Sequence, residues 1–305
     1  MKRIVSLIAG GTEIVCALGF EGQMVGRSHE CDFPASVASL PALTEPKFNT
    51  EGASREIDDR VKAILQEALS VYRVHAEELE AVRPDVIITQ TQCEVCAVSL
   101  KDVEEAVCGF TGGQAPQVVS LEPNGLEDVW EDIRRVARAL DAEDRGEALI
   151  GRLRARMKEI AARSEMIADR PAVGCIEWID PLMAAGNWAP TMVEMAGGTN
   201  LFGKENEHSS WMEWETLRDA DPDVIVLFPC GYDIDKTREE MPALTGKAGW
   251  DDFKAVRNGR VYLTDGNQYF NRPGPRLAES LEIFAEIFHP EVFDFGHEGT
   301  GWVEA

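Results

Sequence analysis

Short β-rich apolar runs alternate along this chain with longer stretches whose apolar residues recur at three- and four-residue steps. Ile4-Val5-Ser6-Leu7 predicts a first strand, stopped by Gly10-Gly11, with Thr12 then N-capping a helix that ends at Gly19. Residues 24–28 predict a second strand that empties into His29-Glu30-Cys31-Asp32, and Ser54 opens a helix carrying Ile57, Val61 and Ile64. Two later segments match each other. Leu79 stands five residues before Pro84-Asp85 and an apolar run at 86–89, and Leu217 stands five before Pro222-Asp223 and a run at 224–228. Each reads as a helix end, a Pro-Asp turn, a buried strand and then a cysteine, Cys93 or Cys230. One supersecondary unit therefore occurs twice.

Between the copies, residues 126–167 carry neither proline nor strand signal, while Leu126, Val129, Ile133, Val136, Leu149 and Leu153 keep helical spacing. The pattern predicts one very long helix, or two abutting ones broken at Gly146, spanning ~60 Å if continuous. After Pro171 the strand–turn–helix pattern restarts, with strands at 172–176 and 260–263 and a closing amphipathic helix at 276–288; few signals follow Pro290. The expected fold class is α/β, with two Rossmann-like lobes, each around a parallel-rich sheet, joined by one long linking helix. The expected divisions are 1–123 for the first lobe, 124–168 for the linking helix, 169–292 for the second lobe and 293–305 for a tail. Ligands of open α/β sheets bind beyond the carboxyl ends of the strands, so facing lobes are expected to form a cleft.

Composition narrows the choice. With 305 residues and 44% apolar side chains the chain can build a packed core, and a formal charge of -24 disfavours nucleic acid and anionic lipid as partners. No apolar run reaches the ~18 residues of a membrane span, so membrane insertion is not expected. Met1-Lys2-Arg3 and the run after it mimic a short export signal, but Glu13 interrupts the run. The expectation is a cytoplasmic location for the chain as written, or a periplasmic one if the true start lies upstream. Seven cysteines cannot all pair within one chain, and in a cytosolic setting they read as buried thiols, metal ligands or redox groups.

A family resemblance adds to this reading. Ile4-Val5-Ser6-Leu7 with Thr12-Glu13-Ile14-Val15, Ser28-His29-Glu30-Cys31-Asp32-Phe33-Pro34, Arg83-Pro84-Asp85-Val86-Ile87, Gln92-Cys93-Glu94-Val95-Cys96-Ala97 and Met195-Ala196-Gly197-Gly198 carry it. The chain resembles the class III periplasmic-binding-protein family, the cobalamin and iron-chelate carriers of ABC importers. The resemblance implies a non-enzymatic protein holding a corrinoid (cobalamin-like) or related metal chelate between the lobes, an ABC permease as partner, and modest closure on binding. The chain departs from those carriers in lacking an evident export signal.

Candidate residues follow from strand-end positions and from the resemblance. His29, Cys31, Cys93, Cys96 and Cys230 form a soft set suited to cobalt, zinc or an iron–sulfur centre. They also define a second reading, a cytosolic metal- or redox-active protein. From the first lobe Gly11, Thr12, Ser28, His29, Glu30 and Gln92 are expected to line the ligand. From the second, Trp178, Trp188 and Tyr232 offer aromatic faces with polar edges, and Asn267, Gln268 and Tyr269 follow a strand end. Trp130, Trp211 and Trp250 are expected to pack on helices. Glu56 and the acidic residues of 205–215 are read as solvated surface that could meet arginines of a permease. No Gly-x-Ser-x-Gly, His-Glu-x-x-His or suitably set Ser-x-x-Lys occurs, so no catalytic set is expected.

Overall fold

The duplicated Pro-Asp segments do the same local work twice. In a computed structural model, which describes residues 1–66, 71–91, 100–108, 110 and 115–305, the residue before each proline is left-handed, Arg83 at φ 44° and Asp221 at φ 44°. The turn brings the aspartate against the start of the neighbouring strand. Asp85 Oδ2 accepts the Arg3 N–H at 2.7 Å, and Asp223 Oδ2 accepts the Ala172 N–H at 2.9 Å. Each carboxylate thus satisfies an amide that begins a strand, where no ladder partner is available. The leucine five residues before each proline is fully buried, a contribution of about 1.5–3 kcal/mol apiece.

The chain divides by internal contacts into two units. The first comprises Met1–Gly52, Glu56–Pro123 and Glu127–Gly151; the second comprises Ala53–Arg55, Asn124–Leu126 and Arg152–Ala305. Elements of the first run β1 (Ile4–Ser6), α1 (Ala9–Ala17), β2 (Met24–Arg27), β3 (Thr44–Pro46), α2 (Ser54–Gln66), β4 (Tyr72–Val74), α3 (Ala76–Ala81), β5 (Val86–Gln90), α4 (Leu100–Cys108), β6 (Gln117–Leu121) and α5 (Leu126–Ala139). Then α6 (Glu143–Ser164) carries the chain into the second unit. There follow β7 (Ala172–Trp178), β8 (Met183–Ala184), α7 (Ala189–Met195), β9 (Thr199–Asn200), β10 (Ser210–Trp211), α8 (Trp214–Ala220), β11 (Val224–Leu227), α9 (Ile234–Glu240), α10 (Pro242–Thr245), α11 (Lys254–Arg257), β12 (Val261–Thr264), α12 (Leu277–Phe288) and β13 (Trp302–Glu304).

The first sheet has the order β2-β1-β5-β6, and every pairing in it is parallel. The second has the order β10-β8-β7-β11-β12-β13, with β9 also on β7; β7, β9, β11 and β12 pair in parallel, and β8, β10 and β13 pair antiparallel. Central strands read as unbroken apolar runs because both faces are covered, and Val224–Leu227 is buried throughout. The α/β class with parallel-rich sheets, expected from the sequence, is the class observed.

Three local expectations change. Thr12 does not cap α1: the helix begins at Ala9, after Ile8, and its cap makes no side-chain hydrogen bond. Gly10-Gly11 is helical because the first turn must press onto β5; a Cβ on Gly11 would lie 2.8 Å from Ile88 Cγ2. The break in the long helical stretch falls at 140–142, with Asp141 left-handed at φ 55°. Gly146 lies inside α6, where a Cβ would meet that of Ala137 at 2.7 Å, so its smallness lets α5 and α6 approach closely. The tail also acquires structure. β13 pairs with β12, and Glu286 of α12 accepts the Trp302 indole N–H at 2.7 Å. No periodicity announces so short a strand.

Candidate functional site

In the first unit Ser28, His29 and Thr44 bond one another beyond β2, while Arg27 Nε is buried without a partner among the described residues. Beyond β2, the His29 backbone N–H donates to Thr44 Oγ1 at 3.1 Å, and His29 Nδ1 lies 2.8 Å from the same oxygen. Thr44 Oγ1 also bonds Ser28 Oγ at 3.0 Å, and Ser28 is buried. The Arg27 guanidinium donates to the Ser28 and His29 carbonyls at 2.9 and 3.2 Å and so holds this turn. Burial first, and then the Arg27 charge, push the His29 imidazolium to lower pKa, which favours a neutral ring. With Nδ1 held by the hydroxyl, Nε2 is the remaining ring nitrogen, 3.9 Å from Glu30 Oε1. Tyr72 packs on the imidazole with centroids 5.4 Å apart and donates its O–H to Glu30 at 3.3 Å. A neutral imidazole oriented through one nitrogen is suited to ligate metal through the other.

Cys31 behaves differently from that expectation of a ligand. It is 1% exposed, its sulfur accepts the Thr12 hydroxyl at 3.0 Å, and Ser6 O lies 3.9 Å away. Gly11 and Thr12 are likewise buried in α1. Cys93, Cys96 and Gln92 lie outside the described residues. Among the described residues no group of three or more His, Cys, Asp or Glu side chains is arranged to hold a metal ion. The five-member soft set is therefore not assembled by the residues whose positions are described.

The second unit offers another kind of surface at the carboxyl ends of β7, β11 and β12. Trp178 closes β7 and stacks at a tilt on Tyr232, ring centroids 5.3 Å apart. Tyr232 follows β11 through a turn in which Gly231 takes φ +77°, a conformation glycine adopts without strain. The Trp178 Nε1 and Tyr232 hydroxyl atoms are both shielded from solvent and have no hydrogen-bond partner among the described residues. Burial, with Glu240 adding to it, raises the Tyr232 pKa, so the phenol stays protonated. Beside Trp178, burial pushes the Glu177 carboxyl above its ordinary range, although the Ser209 hydroxyl donates to it at 2.7 Å. Cys230 is half-buried, its N–H bonded to the Glu177 carbonyl at 3.2 Å.

Trp188 is 6% exposed and donates its indole N–H to the Phe270 carbonyl at 2.9 Å, so its polar edge serves the interior of this unit. Asn267, Gln268 and Tyr269 lie on the short turn after β12, and the Asn267 N–H reaches the Tyr232 carbonyl at 3.0 Å. The structure thus brings Trp178, Tyr232 and that turn together on one face. Trp130 and Trp250 are buried as expected, whereas Trp211 is 55% exposed; β10, which carries it, is a two-residue edge strand with only β8 beside it. Sequence reading missed Thr44 and Tyr72, which lie far along the chain from His29, and also Arg272 and Arg276. The last two had a signal: the segment Asn271-Arg272-Pro273-Gly274-Pro275-Arg276 puts two cations in the loop that follows a strand end.

A model of the family described as periplasmic binding protein matches residues 4–268. An uncharacterized ABC transporter substrate-binding lipoprotein, YvrC, of Bacillus subtilis (strain 168) is 23% identical over 298 residues, which is 96% of this chain and 81% of that protein. Among solved structures, the periplasmic heme-binding protein RhuT from Roseiflexus sp. RS-1 in apo form aligns with a TM-score of 0.69 at 23% identity, covering 95% of this chain and 99% of that one. The periplasmic vitamin B12 binding protein BtuF of Vibrio cholerae aligns with a TM-score of 0.65 at 17% identity, covering 95% and 97%. At such identities the structural likeness speaks for the fold.

Proposed function

The chain belongs to the periplasmic binding protein family, and from that premise we propose that its ligand is a corrinoid or a related metal chelate of tetrapyrrole size. It is a substrate-binding protein of the ABC-importer type and not an enzyme. The observation that carries the ligand reading is the half-buried Trp178 ring packed on the buried Tyr232, two side chains whose polar atoms have no partner among the described residues. A buried, unpartnered donor is costly, by about 1–3 kcal/mol. A flat apolar macrocycle can lie on the half-buried Trp178 ring, beside an indole N–H that the fold itself leaves unsatisfied. The names of the fold relatives, a heme binder and a vitamin B12 binder, favour the same chemical class. In this reading His29 would offer its remaining ring nitrogen to the ligand's metal, with Ser28 and Glu30 as its neighbours in the chain.

The partner is an ABC permease, and the working place lies outside the cytoplasm, as the lipoprotein description of the Bacillus relative favours. That reading replaces the cytoplasmic location expected from the sequence. Among the described residues no helix is long and apolar enough to cross a membrane. The cysteine-centred redox reading draws nothing from Cys31, whose sulfur is sealed beneath Thr12. The test is a visible-absorbance and calorimetric titration of the purified protein with cyanocobalamin, cobinamide and hemin. We expect at least one to bind with a Kd of about 1 μM or tighter, roughly −8 kcal/mol. Failure of all three, and of ferric siderophores run beside them, would sink the proposal.

A further inference from the structure

Glu282 and Glu286 stand four residues apart on one face of α12, and each is 4% exposed. A buried carboxylate needs partners to stay charged, and most of theirs come from residues 295–302. Glu286 accepts the Phe295 and His297 N–H groups, the second at 3.3 Å, and the Trp302 indole N–H at 2.7 Å. Glu282 accepts from Arg156 Nε and Nη2, and its Oε2 lies 2.9 Å from His297 Nε2. An ionised carboxylate only accepts, so that ring nitrogen carries the proton. Burial opposes the charged form of Glu282, but His297 and Arg156 outweigh it and hold the carboxyl below its ordinary range.

The same segment reaches the turn after β12. The His297 carbonyl gathers the Gly301 N–H at 2.7 Å and the Thr300 N–H at 3.1 Å, which reverses the chain. Gly296 and Gly299, at φ +85° and +81°, take a conformation that glycine adopts without strain. The reversal delivers the Gly301 carbonyl to the Asp265 N–H at 3.1 Å and sets Trp302 opposite Thr264, where β13 joins β12. Asp265 in turn caps the segment that follows it, accepting the Gln268 N–H at 2.7 Å. On that segment the half-buried Tyr269 meets the His297 ring, centroids 6.1 Å apart and planes near perpendicular. One histidine therefore touches both a buried carboxylate of α12 and an aromatic residue of the turn. Release of residues 293–305 would not strand either carboxylate, since water would reach both as the segment left. Its cost is the exchanged hydrogen bonds and the apolar surface of the buried Phe293 and Trp302.

We infer that residues 293–305 form a strap, latched on Glu282 and Glu286, that opens and closes as one unit with the turn at 265–271, His297 acting as the positioning residue for Tyr269. Its bearing on binding rests on the ligand reading above: the turn is set for ligand only while the strap is down.

The test is amide hydrogen exchange on the full chain, first without ligand. The N–H groups of Phe295, His297 and Gly301 in the strap and of Asp265, Gln268 and Asn271 in the turn are expected to share one opening free energy, lower than that of β11. His297→Ala is expected to speed both groups about tenfold, the worth of one bond to a charged group, and to leave β11 unchanged. His297→Phe, which keeps a ring beside Tyr269 and loses the bond to Glu282, gives the same comparison should the alanine variant not fold. The second measurement adds hemin or cyanocobalamin, whichever wild type binds. Bound probe should slow exchange in strap and turn alike, and His297→Ala should weaken its binding about fivefold or more, because coupling between sites is reciprocal. Strap and turn that open with different free energies, or a variant that speeds the strap alone, overturn the inference whatever binds. So does a bound probe that leaves strap exchange and variant affinity unchanged. A wild type that binds neither probe counts against the ligand reading, and the exchange measured without ligand still decides the strap.

Discussion

The two strand-end surfaces differ in what they leave unfinished. In the first unit Ser28, His29 and Thr44 satisfy one another within 2.8–3.1 Å, and Cys31 is closed off by Thr12. In the second, Trp178 and Tyr232 hold buried polar atoms with no partner among the described residues, beside a turn whose amide oxygens accept from buried arginines. Polar groups that satisfy each other contribute to folding whether or not ligand is present. Polar groups left over are a cost to folding that only a ligand or water can relieve. The surface beyond β2 is thus organised mainly by its own bonds, although Arg27 Nε there is also buried without a partner among the described residues, and the surface beyond β7, β11 and β12 leaves the Trp178–Tyr232 pair unsatisfied.

Substitutions can break that contrast, beginning with the largest effect. Trp178→Ala removes an aromatic face together with an unpartnered donor. Chelate affinity should fall at least a hundredfold, about 2.7 kcal/mol, with the thermal midpoint little changed; calorimetry and a melting curve on one preparation decide it. Retained affinity would mean that the second unit's aromatic pair is ordinary packing. In the first unit the expected loss is of stability. Gly11→Ala places a methyl 2.8 Å from Ile88 and 3.0 Å from Ile8, so stability should drop by about 1–3 kcal/mol. Affinity per folded molecule should stay near wild type, and urea unfolding with and without ligand separates the two quantities.

The last effect concerns pH. Asp132, 1% exposed, accepts the Glu122 N–H at 3.2 Å and an Arg135 N–H at 2.8 Å, yet burial pushes its carboxyl up to about 7. Its unfolded value lies near ~3.9, so between the two the folded state holds a proton that the unfolded state has lost. Stability from this group is therefore full below about pH 4, falls as pH rises to about 7 and is level above that. Asp132→Asn should flatten this slope in Tm between pH 4.5 and 8. An unaltered slope would assign the pH dependence to other carboxylates, Glu177 of the second unit first among them.

Much of the fold was legible because it rests on short-range chemistry. Short apolar runs and three- and four-residue spacing located β1, β5, β11 and α12 to within a residue or two. The Pro-Asp repeat announced the twin units, since Asp85 and Asp223 perform a local task at a turn. Legibility failed where a residue's role depended on a neighbour far along the chain. Thr12 looked like a helix cap until the Gly11 contact with Ile88 showed why α1 begins earlier. Trp188 looked like a ligand surface, but its N–H is bonded to Phe270, 82 residues away. Cys31 looked like a ligand because its position after β2 is visible, while the hydroxyl that covers it is not.

The amino-acid sequence alone determined the α/β class, the duplication and the strand ends at which polar and aromatic residues gather, because hydrophobic period and turn chemistry act over a few residues. Only the tertiary structure decided which of those residues are spent on one another and which remain to be satisfied. Hydrogen-bond capacity is settled by partners that the chain brings together from tens of residues away, and no local pattern records that settlement.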